Sequence, residues 1–187
     1  TVEEKTVLHH QIIKNEVAPV TEKQSTVQFV LLMKEMIKNG YEQYEISNFC
    51  KPNAHSRHNS SYWKRDNYLG LGPSAHSYIG NSRFWNVSNN VKYIKTLMQG
   101  ELPLEKEVLS LKDKYNEYIM TSLRTMWGSD LYQIEQDYTT VFANYFITEI
   151  QIQLRNGNVI EKEGIYTLTN KGKLLADRIA SDLFYTD

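Results

Sequence analysis

The sequence predicts a mixed α/β segment followed by a mainly helical module that closes with a short hairpin and a final helix, a winged-helix-like order. Three observations carry this expectation. A helical repeat of apolar residues runs straight into an aromatic and β-branched strand. A long aperiodic stretch rich in His, Arg, Asn, Tyr, Trp and Gly comes next. Beyond about residue 107 the apolar spacing is helical almost throughout.

The first element is a helix over Thr21 to Gly40. Thr21-Glu22-Lys23-Gln24 opens it, Val27, Val30, Leu31, Lys34 and Ile37 follow at helical spacing, and Asn39-Gly40 stops it. Tyr41 to Ser47 reads as a strand after a tight connection. From Asn48 to Asn86 the periodicity is lost, which marks a region of functional loops. Ser88 is expected to cap a short helix from about Asn89 to Gln99, ended by Gly100. Leu102-Pro103-Leu104 then reads as a connection, and a domain boundary near Glu107 divides the chain into segments 1–107 and 108–187. The second segment should run as a helix from Lys112 to Met126, a short helix after Asp130, a longer one from Thr140 to Leu154, strands at Val159-Ile160 and Tyr166-Leu168, and a helix from Lys171. Its expected core is Tyr115, Tyr118, Leu123, Met126, Trp127, Phe142, Tyr145 and Phe146.

With 187 residues and 41% hydrophobic content, the chain can bury a core in one or two small domains. Twenty-one basic residues oppose 22 acidic ones, so no net field draws it to nucleic acid or an anionic membrane. Residues 109–187 hold eight Lys and Arg against 11 Asp and Glu, which leaves DNA binding a distant alternative despite the winged-helix-like order. No apolar run approaches the roughly 20 residues that cross a bilayer. Thr1-Val2-Glu3-Glu4-Lys5 is no secretory signal, so a cytoplasmic location is expected, and the chain is expected to continue ahead of Thr1. Cys50 is the sole cysteine. The chain therefore has no internal disulfide and cannot by itself supply several thiolates to zinc or to an iron–sulfur cluster.

His58-Asn59-Ser60-Ser61-Tyr62-Trp63 places an imidazole, an amide and two large rings within six residues. Such a set suits a flat, metal-bearing ligand, with the imidazole on the metal and the rings over the macrocycle; a histidine beside aromatics is also a common structural arrangement. Tyr68-Leu69-Gly70-Leu71-Gly72-Pro73-Ser74-Ala75-His76-Ser77 combines glycines and small residues that let a backbone approach a carboxylate or phosphate. A tight turn at a sheet edge explains it equally well, and without a third glycine it is no dinucleotide fingerprint. Glu45, Ser47 and Asn48 stand at a strand end, with Arg57 a candidate partner for Glu45. His76 is expected as a satisfied, semi-buried histidine, and His9-His10 as surface.

Taken in order, YEISNF (44–49), RHNxxYW (57–63), YLGLGPxAHSY (68–78) and RxWN (83–86) resemble the HemW family, over essentially the whole chain. The resemblance implies a radical-SAM protein: a partial (β/α) barrel, a [4Fe-4S] cluster held by a CxxxCxxC motif, S-adenosylmethionine on that cluster, and heme bound for delivery to a client protein. By the same resemblance His58 is the heme ligand, with Asn59, Tyr62 and Trp63 completing its motif. Gly70, Gly72, Ser74 and Ala75 match the glycine-rich segment near the barrel mouth, where cofactor contact is expected. The departure is that the cluster cysteines are missing. The chain then reads as a carboxyl-terminal portion, itself not catalytic. An oxygen-independent coproporphyrinogen III oxidase is the alternative parent.

Overall fold

The computed structural model describes residues 2–186, which fall into two units, Thr1–Glu42 and Gln43–Asp187. The first unit holds α1 (Val7–Ile13), capped by Thr6, and α2 (Glu22–Lys38). Thr21 and Gln24 form a reciprocal capping box at the start of α2, which satisfies two of its orphan amides. The expected helix is thus present. Its apolar stripe stays uncovered in this chain, since Val27, Val30, Leu31 and Ile37 are exposed and only Met33 is buried.

The second unit begins within β1 (Glu42–Glu45), which forms a two-stranded sheet with β2 (Asn48–Cys50). The short helix α3 (Arg57–Trp63) comes after it. Next, β3 (His76–Ile79), β4 (Ser82–Asn86) and β5 (Leu104–Val108) make an antiparallel sheet in that order, with α4 (Asn90–Met98) between β4 and β5. The region expected as loops therefore holds two strands of this sheet, β2 and a helix. These elements run three to seven residues, too few for an apolar period to show. Asn89, rather than Ser88, caps α4, its side chain accepting from the Lys92 amide. Residues 104–108, at and just beyond the expected connection, pair along β4 as a strand.

The helical module runs α5 (Leu111–Leu123), β6 (Ser129–Asp130), α6 (Leu131–Tyr138), α7 (Thr140–Arg155), β7 (Val159–Lys162), β8 (Ile165–Leu168) and α8 (Ala176–Asp182), with a 3-10 turn at Gly172–Leu175 where helix was expected from Lys171. Strands β6, β8 and β7 form a second antiparallel sheet in that order. The core is as apolar periodicity dictates: Tyr115, Ile119, Leu123, Ile134, Phe146 and Ile150 are essentially inaccessible. Each such side chain stabilises the fold by about 1.5–3 kcal/mol through burial. Met126 and Trp127 were expected there and are instead exposed. The reason is that α5 stops at Leu123, three residues short of the expected end, because Arg124 to Met126 turn away to pair with β1. The Ile46 amide donates to the Arg124 carbonyl at 3.0 Å and the Met126 amide to that of Tyr44 at 3.0 Å.

Glu45 governs that junction. Its carboxylate is 2% exposed and was expected to meet Arg57, yet it accepts from Nε and Nη2 of Arg124 at 3.2 and 3.1 Å. It also accepts from the Ser47 amide at 2.9 Å and from the Asn48 side chain. Arg124 was not singled out by sequence because its partner lies 79 residues away. Replacing Arg124 by Ala leaves the carboxylate buried without its cation, so unfolding in urea should show a loss of about 3–5 kcal/mol, with part recovered in the Glu45→Gln background.

Burial pushes the phenols of Tyr118 and Tyr138 up to about 12, desolvation being the main cause in both. A phenol whose folded value is raised supports the fold below its unfolded value near 10 and loses that support as pH climbs through the folded value. Stability should therefore fall between pH 10 and about 12, and absorbance of phenolate should rise in step with loss of tertiary circular dichroism. Titration of these two rings in a fully folded chain would contradict the assignment.

Candidate functional site

Ser56 caps α3, accepting from the Asn59 amide at 3.2 Å, and the helix ends at Lys64. Arg65 then adopts φ +60, a left-handed conformation that costs a non-glycine residue about 1 kcal/mol. Along the helix, His58 and Tyr62 lie four apart on one face, and Asn59 and Trp63 on the adjoining one. The Asn59 amide donates to the Tyr44 hydroxyl at 3.2 Å, which anchors α3 to β1. Trp63 is half-buried under the Arg124 guanidinium, 5.5 Å from the ring centroid, and its indole N–H has no partner.

His58 itself is exposed. Its imidazole meets the Tyr62 ring edge-on at 5.0 Å and makes no hydrogen bond among the described residues. Tyr62 in turn meets Tyr68 at 4.8 Å, and Tyr68 stacks with Tyr78 at 6.3 Å, so a run of rings leads away from the imidazole. Three of the four expected ligand residues thus have defined surroundings, and the fourth presents two free ring nitrogens. Such an imidazole can ligate a metal, with flat rings beside it to cover a planar ligand.

The glycine-rich segment behaves differently. The Gly70 amide donates to Ser77 Oγ at 2.9 Å, Gly72 to the Tyr93 hydroxyl at 3.2 Å, Ser74 to the Val87 carbonyl at 3.3 Å and Ala75 to the Gly72 carbonyl at 3.3 Å. All four amides are therefore engaged within the protein. The Asn86 side chain closes the turn from the other side, donating to the Gly72 and Gly70 carbonyls at 2.9 and 3.3 Å. Gly72 sits at φ +101, and a Cβ on Gly70 would lie 2.1 Å from the His76 carbonyl oxygen. Glycine at 70 is thus required by close backbone approach. Leu69 and Leu71, between these anchors, are 70% and 81% exposed.

Of the remaining sequence candidates, buried Glu45 joins the amide of exposed Ser47 and the half-buried Asn48 in the network around Arg124. His76 is exposed beside Trp85, at 6.4 Å between centroids, not semi-buried as expected. In α1, His10 is exposed and His9 half-buried, with Nδ1 of His10 on the Thr6 carbonyl at 3.0 Å.

Three clefts border α3, and two of them meet its C-terminal end. One of about 450 Å³ includes Tyr62, Tyr68, Arg83 and Glu117; the other, of about 620 Å³, includes Trp63, Lys64, Trp127 and Tyr138. Arg65 and Tyr78 line both. Arg65 was not predicted, because its surroundings come from Tyr78 and Tyr138, which are distant in sequence. In the smaller cleft Arg83 is paired with Glu117 and Glu107, the latter at 3.6 Å.

The fold is shared with a radical-SAM protein. A structure titled "Coproporphyrinogen III oxidase (HemN) from Escherichia coli is a Radical SAM enzyme" matches 88% of this chain with a TM-score of 0.68, at 20% identity and over 42% of that chain. No family profile matches. At the level of sequence the chain is similar to the heme chaperone HemW of Bacillus subtilis, 28% identical over 95% of this chain and 47% of the relative. Similar matches are the heme chaperone HemW of Mycobacterium tuberculosis H37Rv, 28% identical over 97% of this chain and 45% of the relative, and that of Lactococcus lactis, 29% identical over 83% and 41%. The HemW-type resemblance drawn from the motifs therefore holds over nearly the whole chain. The chain spans a little under half the length of the curated relatives it matches.

Gly70→Ala is expected to lower the thermal midpoint by several degrees, since the added methyl meets a backbone carbonyl that cannot move freely. Gly80→Ala, at φ +60 with nothing within 4 Å of the new Cβ, should cost only about 1 kcal/mol. Equal midpoints for the two variants in differential scanning calorimetry would refute the close approach at Gly70.

Proposed function

We propose that this chain is the carboxyl-terminal portion of a HemW-type protein that binds heme through His58 and delivers it to a client protein. One observation carries this reading: the imidazole is exposed and free of hydrogen bonds, on a helix fixed by the Asn59 contact to Tyr44, with the Tyr62 ring set against it. A neutral imidazole nitrogen ligates heme iron, and a flat aromatic surface beside it favours a macrocycle over a bare ion. Tyr62 is the ring that would meet the macrocycle. Asn59 acts from behind by holding the helix, and Trp63 lies on the adjoining face toward the larger cleft.

The donor set of this chain does not fit a [4Fe-4S] cluster, because a cluster needs several thiolates and only Cys50 is present. We assign the cluster and S-adenosylmethionine to the remainder of the full-length protein, so this chain alone performs no radical chemistry. Gly70, Gly72, Ser74 and Ala75 are proposed to form the rim at which a cofactor is met, through shape, since their amides and most of their carbonyls are engaged within the protein. Segment 1–107 is read as the end of a partial (β/α) barrel. Segment 108–187 is read as winged-helix-like, which the order α5, β6, α6, α7, β7, β8 supports. Its acidic excess speaks against nucleic acid. No helix among the described residues is long and apolar enough to cross a membrane. A cytoplasmic location is part of the same proposal.

Hemin titration followed at the Soret band tests the ligand. The wild-type chain should give a shifted, saturable Soret band, and His58→Ala should abolish the shift while circular dichroism is unchanged. An identical spectrum in the folded variant removes His58 from the role.

A further inference from the structure

The larger cleft contains a cation without a counter-ion. Arg65 donates through Nη2 to the Tyr78 hydroxyl at 2.9 Å and through Nη1 to the Tyr138 hydroxyl, and its guanidinium lies 5.9 Å from the centroid of each of those rings. Among the described residues no carboxylate pairs with it, whereas Arg83 and Arg124 each pair with two. Its Nε–H is buried with no acceptor. The indole N–H of Trp63, which lines the same cleft, is likewise buried and unsatisfied. Buried donors in native proteins are nearly always paired, so two orphans on residues that line one cleft mark a local shortage of acceptors.

The phenols add to this demand. Each hydroxyl accepts from Arg65 and so keeps its own proton to donate. Tyr138 stays protonated at neutral pH, burial holding its phenol up to about 12. Two acids also line the cleft: Asp130 caps α6, accepting from the Tyr132 amide at 2.8 Å, and Asp137 accepts from the Gln133 side chain at 3.4 Å. Lys64 and Lys114 stand on its wall.

We infer that Arg65, Tyr78, Tyr138 and Trp63 form a carboxylate cradle, which receives an acid side arm of a planar tetrapyrrole. A carboxylate has the oxygens to accept from several of these donors at once, and a guanidinium stacked between rings prefers it to a compact, hydrated anion. Arg65 follows α3 directly in a left-handed turn and lines both this cleft and the smaller one. The identity of the ligand rests on the heme reading. The cradle rests on the unpaired Arg65 guanidinium and the donors around it.

Trp63 and Trp127 line the cleft and report on it by fluorescence. Titration of the 187-residue chain with metal-free protoporphyrin IX and with its dimethyl ester should show about tenfold tighter binding of the free acid. Arg65→Gln should erase the preference, Arg65→Lys should keep part of it, and the double variant Tyr78→Phe, Tyr138→Phe should reduce it with the cation still present. Equal affinity for acid and ester in the wild-type chain, no binding of either, or an undiminished preference in a folded Arg65→Gln chain overturns the cradle. Because no iron is present, these outcomes do not depend on His58. A preference for the acid without a His58-dependent Soret shift from hemin would leave the cradle standing and remove the ligation. The reverse pair of results would do the opposite.

Discussion

A single buried carboxylate fixes the frame on which the motif helix sits. Taking Glu45 out of water is costly unless its oxygens are met on all sides, and here Arg124, the Ser47 amide and Asn48 meet them. The same Arg124 reaches Asp177 in α8 and lies over the Trp63 ring. One guanidinium therefore binds the β1–β2 hairpin, the chain after α5, the last helix and the end of α3 into one arrangement. Tyr44, next to Glu45, then holds Asn59. The orientation of α3 is in this sense inherited from an ion pair between residues 79 positions apart.

This accounts for why the recognisable motifs occur together. YEISNF supplies the buried acid and the Tyr44 anchor, and the Asn59 that grips the anchor belongs to HNxxYW. The Asn86 of RxWN locks the carbonyls of Gly70 and Gly72, and the tyrosine that closes AHSY accepts from Arg65. Most residues in these motifs are held by one another. Loss of any one group would expose an unsatisfied partner in another motif, a penalty that keeps the set together. His58 is not held in this way, and its exposed imidazole has no hydrogen bond among the described residues.

Much of the fold was legible in the sequence, and the reasons for the failures are specific. Long helices with regular apolar spacing, such as the capped α2 and the uncapped α7, stand where periodicity puts them. The region from Asn48 to Asn86 looked irregular because its elements are short and its polar residues serve as caps, anchors and turn locks. Met126 and Trp127 fit a helical core pattern, but a β-bridge between Glu45 and Thr125 ends the helix first, and no local signal announces that pairing. The motif residues of the candidate site were legible as a resemblance. Their split into anchors and one free imidazole was not, nor was Arg65, because both arise from contacts between residues far apart in the chain.

Exposure of His58 also bears on how heme would be handed over. A histidine enclosed by a pocket holds its iron tightly and releases it slowly, because departure requires the pocket to open. If His58 holds heme, its place on an exposed helix face would leave the bound group accessible to a client protein. Such a site needs orientation from elsewhere, since one metal–nitrogen bond leaves the ring free to rotate about it. A carboxylate held at Arg65 would remove that rotation without covering the iron. Positioning and ligation would then sit on different groups, one half-buried and permanent, one exposed and exchangeable, and it is this separation that would let the same site both hold a porphyrin in register and give it up.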